Sequence, residues 1–325
     1  MMGHARRNDG EGDASGAPPT GGACLEISGL RAGYGDREVL AALSLAPLRG
    51  GRIAAVLGPN GSGKSTLLKT VAGLLPLRGG AIALDGLDLA GLAPRLRARH
   101  IAYVPQDLPA AVHLRVLEAV LAAGRAQPGG RGVDTGPETA QALLTRLGLG
   151  PFALRYLDEL SGGQRQLAGL ALALIRRPRV LLLDEPLSAL DLRHQLQVMA
   201  LVRRETALHG LITLMIVHDV NVALRHADRA ILLRDGRVHA DGPPMAAIAP
   251  ATLAAVYGVR GRVERCSLGR PYAIVDEVVD MDAPGEVADG DHGAGGLRVG
   301  GSTGDDRGRA GAGPDGATAT ARPGT

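Results

Sequence analysis

The sequence predicts an α/β fold, a mainly parallel sheet flanked by helices, and three observations point to it. Two runs, "VLLLDE" and "LITLMIVHD", are continuously apolar and rich in leucine or β-branched residues, as parallel strands covered on both faces are. Helical patterns stand between them, including "LDLRHQLQVMALVRRETALHG". A third apolar run, "RIAAVLG", feeds a glycine-rich loop, "GPNGSGKST" (Gly58 to Thr66), and then a helix, "KSTLLKTVAGLL". Strands that alternate with helices form right-handed crossovers in a parallel sheet.

The remaining elements follow in chain order. Ahead of the core, "CLEISGL" alternates apolar and polar residues, "EVLAALSLA" is β-like, and "RGG" (Arg49 to Gly51) makes a turn. The stretch from about Leu108 to Arg155 is alanine-rich and helical, broken by "QPGGRGVDTGPE". It is expected to form a helical subdomain, about 107–165, inserted in the core. Near the end, "DRAILLRDGRVHADG" sets Asp235-Gly236 between two strand-like runs, a hairpin signal. The folded unit is expected over 24–260, with a short extension over 261–282. Residues 1–23 and 283–325 are expected to be disordered, the second tail being Gly, Ala and Asp with almost nothing to bury.

Composition narrows the function classes. With 325 residues and 45% hydrophobic content, the chain has enough apolar material for a substantial core. No apolar run approaches the ~20 residues that cross a bilayer, and no secretory leader is expected at the N-terminus. Two cysteines, Cys24 and Cys266, have no metal-type spacing and fit a reducing cytosol. A net charge of +3 and 2% aromatics argue against a nucleic-acid partner. Of 36 lysines and arginines only Lys64 and Lys69 are lysine. Lys64 sits inside the glycine loop, where a compact ammonium is wanted rather than a planar fork.

Four clusters carry chemistry. "GPNGSGKST" satisfies G-x-x-x-x-G-K-[ST] with Gly58, Gly63, Lys64 and Ser65, between a strand and a helix. Its backbone, with Pro59, Asn60, Gly61, Ser62 and Thr66, would close around phosphate oxygens at a helix N-terminus. Lys64 would neutralise the β- and γ-phosphates, and the Ser65 hydroxyl would reach Mg²⁺. "VLLLDEP" ends a buried strand in Asp184, placed for the Mg²⁺ hydration shell, and Glu185, placed to polarise an attacking water. "MIVHD" brings His218 to the same rim, where it would hold Glu185 and the water. "YVPQD" brings Gln106 there, within reach of Mg²⁺ and water, although one glutamine is a weak signal. Tyr34 is either an ordinary half-buried aromatic or a stacking face for adenine.

"LSGGQRQ" (Leu160 to Gln166) reads first as a helix cap, with Ser161 capping and Gln164 reaching back. A cap needs no glycine pair at the first helical positions, where glycines weaken the helix. Gly162 and Gly163 make sense if a phosphate approaches the bare backbone. One chain cannot easily bring this stretch to its own glycine loop, whereas two chains arranged head to tail can supply both.

"GPNGSGKST", "YVPQD", "LSGGQRQ", "VLLLDEP", "SALD" and "MIVHD", in this order, resemble the ATP-binding subunits of ABC transporters over roughly Leu25 to Gly242. The resemblance implies a P-loop NTPase core with an N-terminal antiparallel β subdomain and an inserted helical subdomain. It further implies an ATP-bound homodimer whose hydrolysis drives an integral membrane permease. Carried over, Ser161, Gly162, Gly163 and Gln164 would contact the γ-phosphate held by the opposite protomer. Asp191 of "SALD" would lie across the interface, and Gln106 would sense nucleotide and permease. "LSALDLRHQ", "HDVNVALRHADRAILLRDGRVHADG" and "ATLAAVYGV" resemble more narrowly the ATPases of iron-siderophore, haem and cobalamin importers. Such a subunit sits on the cytoplasmic face of the inner membrane and serves a solute-binding protein indirectly. In one departure, many relatives carry an arginine where the helix "LAGLALAL" is wholly apolar. A non-transport relative acting on DNA is disfavoured, because Ser161 follows Lys64 by only 97 residues and leaves no room for a long coiled coil. One acting on ribosomes is disfavoured because such members carry two cassettes and this chain has one.

Overall fold

The computed structural model describes residues 22–106, 113–126, 136–188 and 190–279. Apart from residues 22 and 23, both tails expected to be disordered lie outside the described residues. So do most of the interrupting loop, over 127–135, and residues 107–112 of the helical insertion.

The chain opens with two antiparallel strands, β1 (Cys24–Tyr34) and β2 (Arg37–Arg49). Next come β3 (Arg52–Leu57), the glycine loop and α1 (Lys64–Ala72). Then β4 (Gly79–Leu84) and β5 (Leu87–Asp88) join the opening pair in an antiparallel sheet of order β2-β1-β4-β5. The short α2 (Pro94–Arg97) leads to β6 (Ile101–Val104). The helical insertion follows as α3 (Val116–Arg125), α4 (Pro137–Arg146) and α5 (Gly162–Leu174). The chain then alternates through β7 (Val180–Leu183), α6 (Leu192–His209), β8 (Ile212–Ile216), α7 (Val220–His226) and β9 (Arg229–Arg234). Strand β10 (Arg237–Gly242), helices α8 (Pro244–Ala247) and α9 (Pro250–Tyr257), and a hairpin of β11 (Val259–Arg265) and β12 (Pro271–Val278) complete it.

The central sheet has order β10-β9-β3-β8-β7-β6 and is parallel from β9 to β6, with β10 antiparallel at one edge. Its inner parallel strands look almost uniformly apolar because each feeds two cores. On β3, Ile53, Ala55 and Leu57 face the helices of the insertion and α6, while Ala54 and Val56 face α1 and the antiparallel sheet. The same split recurs on β7, with Leu181 and Leu183 on one side and Val180 and Leu182 on the other. Each fully buried Leu or Ile adds roughly 1.5–3 kcal/mol of transfer free energy.

Three local features position the site. Asp235 and Gly236 both take positive φ, 50° and 71°, the two-residue turn that matches strand twist. The tip of that turn reaches the glycine loop, where the Gly236 N–H donates to the Ser62 carbonyl at 3.2 Å. A Cβ on Gly236 would collide with the Val39 carbonyl, so glycine is required there. The buried Arg97 guanidinium donates to the Thr70 and Val71 carbonyls, placing a cation on the negative end of α1. The expected boundary at 260/261 falls inside β11, which pairs with β12, and the hairpin shares one compact unit with the sheets. Short strands studded with arginine, such as "VRGRVER", hide their partners from a sequence reading.

Candidate active site

The glycine loop joins β3 to α1, so its backbone lies at the carboxyl end of a central strand. Gly61 and Gly63 take φ of 79° and 100°, and nothing lies within 4 Å of a Cβ on Gly61. Helix α1 starts at Gly63 without a side-chain cap and without an acidic residue in its first turn. Its first N–H groups therefore point outward as donors with a partial positive charge. The Ser62 hydroxyl is buried in the loop and has no hydrogen-bond partner among the described residues. Lys64 folds back, its Nζ donating to the Gly58 carbonyl at 2.8 Å and the Pro59 carbonyl at 3.0 Å. Burial pushes the Lys64 ammonium below its ordinary pKa, and the charges of Glu185 and Asp184 oppose that shift. Open donors, an unpartnered hydroxyl and a desolvated ammonium form a cradle that suits phosphate.

Asp184 sits just beyond β7 and is buried; its N–H donates to the Val104 carbonyl at 2.9 Å. The Ser65 hydroxyl donates to its Oδ1 at 3.1 Å. Tyr103, on β6, donates its phenol proton to Oδ2 at 2.8 Å. Burial raises the Tyr103 pKa above its ordinary value, and the Asp184 bond adds to the effect, so the phenol stays a donor. Sequence reasoning passed over Tyr103. The available signal was its place on the strand that ends in "PQ", beside the one that ends in Asp184.

Ser65 and Asp184 bring a hydroxyl and a carboxylate together. Two hard oxygen donors, with phosphate oxygens and water to complete an octahedron, fit Mg²⁺. Among the described residues no group of three or more His, Cys, Asp or Glu forms a cage for a metal of its own.

Glu185 follows with φ 52°, a left-handed backbone that is strained for a side chain ahead of proline. A turn holds it there, the Ser188 hydroxyl and N–H both donating to the Glu185 carbonyl, at 2.9 and 3.2 Å. His218, just after β8, brings Nε2 to 2.6 Å from Glu185 Oε1. The expected pair is thus in direct contact. Tyr34, 49% exposed, lines one cleft of about 480 Å³ with Asn60, Lys64, Ser65 and Glu185. Gln106 is exposed beyond β6, and its amide makes no hydrogen bond to Ser65, Asp184 or Glu185.

Ser161, Gly162, Gly163, Gln164 and Asp191 do not line this cleft. Ser161 caps α5 as expected: its hydroxyl accepts from the Gln164 N–H at 3.3 Å, and Gln164 Oε1 accepts from the Ser161 N–H at 3.1 Å. Asp191 caps α6, accepting from the His194 N–H at 2.8 Å. Ser161, Gly162 and Asp191 are exposed or nearly so.

A family model described as "ABC transporter" matches residues 43–188. An uncharacterized ABC transporter ATP-binding protein of Methanocaldococcus jannaschii is 36% identical over 240 residues, covering 74% of this chain and 93% of that protein. The chain belongs to the ABC transporter ATP-binding family. A hemin import ATP-binding protein of Pseudomonas putida is 41% identical over 240 residues, covering 72% of this chain and 92% of that protein. A solved inward-facing transporter described as of metal-chelate type superposes with TM-score 0.66 at 25% identity, over 80% of this chain and 99% of that one. The ABC ATP-binding fold expected from the sequence, with its antiparallel β sheet and helical insertion, is the fold observed. Among the described residues no helix is long and apolar enough to cross a membrane.

Proposed function

We propose that this chain is the ATP-hydrolysing subunit of an ABC importer, acting as a homodimer on the cytoplasmic face of the inner membrane. Its permease partners span the membrane, a solute-binding protein delivers cargo to them, and the cargo is an iron-siderophore, haem or cobalamin. The haemin-import relative and the metal-chelate transporter support that cargo class, together with "LSALDLRHQ" and "ATLAAVYGV". One observation carries the enzymatic reading. The phosphate cradle and the Glu185–His218 pair share a rim, while the capped start of α5 and Asp191 stand outside that cleft.

In this reading Tyr34 stacks on adenine, and the open N–H groups at the start of α1 receive the phosphates. Lys64 exchanges its two carbonyl partners for phosphate oxygens. Ser65 and Asp184, with Gln106, hold Mg²⁺, which when bound offsets charge on the β- and γ-phosphates. Glu185 accepts the proton of an attacking water, and His218 orients both. Ser161, Gly162, Gly163 and Gln164 of the second copy close on the γ-phosphate.

Glu185→Gln should lose at least about a hundredfold in turnover, as loss of a general base does, and should accumulate as an ATP-bound dimer in size-exclusion chromatography. Turnover near the wild-type rate would remove Glu185 from the role of base. Lys64→Ala should bind a fluorescent ATP analogue far more weakly, and unchanged binding would move the nucleotide site elsewhere.

A further inference from the structure

The two glycines at the start of α5 are not equivalent. A Cβ on Gly162 would meet nothing within 4 Å. A Cβ on Gly163 would lie 3.2 Å from His194 Cδ2, 3.4 Å from His194 Cγ and 3.5 Å from Leu190 Cδ2. The imidazole of His194, in the first turn of α6, therefore lies flush against the backbone of α5. Its other side is tied down as well. His194 Nδ1 is 2.8 Å from Asp191 Oδ1, which also accepts the His194 N–H at 2.8 Å. A carboxylate only accepts, so Nδ1 carries the hydrogen. These bonds hold the Asp191 carboxyl below its usual range, the backbone N–H first and the ring second. The Asp191 side chain is 65% exposed.

We infer that His194 is a positioning residue that ties the Asp191 loop to the start of α5, so that both stretches meet a second copy at one fixed spacing. The ring then gives Gly163 a second reason to be glycine, beside the phosphate approach, because it occupies the room a side chain would take. A planar ring with two side-chain torsions suits the task, since little rotational freedom remains once Nδ1 is bonded. The inference rests on the ATP-bound dimer proposed above.

The test is made in the Glu185→Gln chain, with dimer formation followed by size-exclusion chromatography as ATP is titrated. His194→Ala should raise the half-maximal ATP concentration about tenfold, within the range for residues in direct contact. Binding of a fluorescent ATP analogue to the monomer and the melting temperature should stay the same. His194→Asn, whose amide N–H replaces Nδ1–H, should restore most of the loss; His194→Gln should not. Gly163→Ala should impair dimerisation more when His194 is present than in the His194→Ala background, because only there does the added methyl meet the ring. Equal harm from Gly163→Ala in both backgrounds, or no effect of His194→Ala, overturns the inference.

If Glu185→Gln itself fails to dimerise on ATP, it is the dimer reading that falls. Hydrogen exchange in the monomer then decides the tie separately. Faster exchange of the amides over 164–166 in His194→Ala supports it, and unchanged exchange refutes it.

Discussion

Tyr103 shows how one side chain sets the chemistry of another at the scale of the residue. Asp184 has two oxygens, and the Tyr103 phenol takes one while Ser65 takes the other. With Oδ2 held by a half-buried donor, the carboxylate would keep its orientation if Oδ1 turned to the proposed cation. A hydrogen bond to a charged group contributes about 1.5–3 kcal/mol. Tyr103→Phe should therefore raise the Mg²⁺ concentration for half-maximal turnover and for nucleotide binding, about tenfold to a hundredfold. Mg²⁺ titrations that overlay the wild type would reduce Tyr103 to a packing role. The contrast with Lys64 and Ser65 explains what a sequence reveals. Those residues lie in one contiguous stretch whose spacing is itself the chemistry, whereas Tyr103 acts on a residue 81 positions away. The left-handed backbone of Glu185 was equally invisible, because nothing in "DEP" specifies a φ of 52°.

Among the elements, the terminal hairpin was the least legible and has a definite task. Asn221, in α7, accepts from the Ala273 N–H at 2.7 Å and donates to the Ala273 carbonyl at 3.5 Å, mimicking a strand edge for β12. Helix α7 begins directly after His218, and Asp219 caps it by accepting from the Asn221 N–H at 2.7 Å. The hairpin thus braces the element that presents His218. Asn221→Ala should cost about 1 kcal/mol, or about 3 °C in melting temperature for a domain of this size, and should lower turnover without weakening nucleotide binding. A variant with wild-type turnover would confine the brace to stability. The parallel strands, by contrast, could be read directly, since two-sided burial demands unbroken apolar runs.

For the whole molecule, one buried charge joins the helical insertion to the sheet-bearing part. Glu205 of α6 is fully buried, and its Oε2 lies 3.3 Å from both Arg146 of α4 and His209. The other oxygen, Oε1, has no partner among the described residues. Arg146→Ala would leave that carboxylate with His209 alone and should cost about 3 kcal/mol, as breaking a buried pair does. A shift of the urea midpoint at constant m-value measures this, and no shift would mean that water compensates the charge. The glycine loop has its own long-range dependence, set by the Gly236 N–H on the Ser62 carbonyl. Strand β3, which launches the loop, is flanked by β8 and β9, both far downstream. During synthesis "GPNGSGKST" emerges early, but the strands and turn that shape it are made well over a hundred residues later, and such non-local closure is slow. A nascent chain cut short before β9 carries the whole glycine loop but lacks one flanking strand of β3 and the Gly236 turn. Nucleotide capture is therefore expected only after synthesis has passed Gly236, and ATP would stabilise no shorter chain.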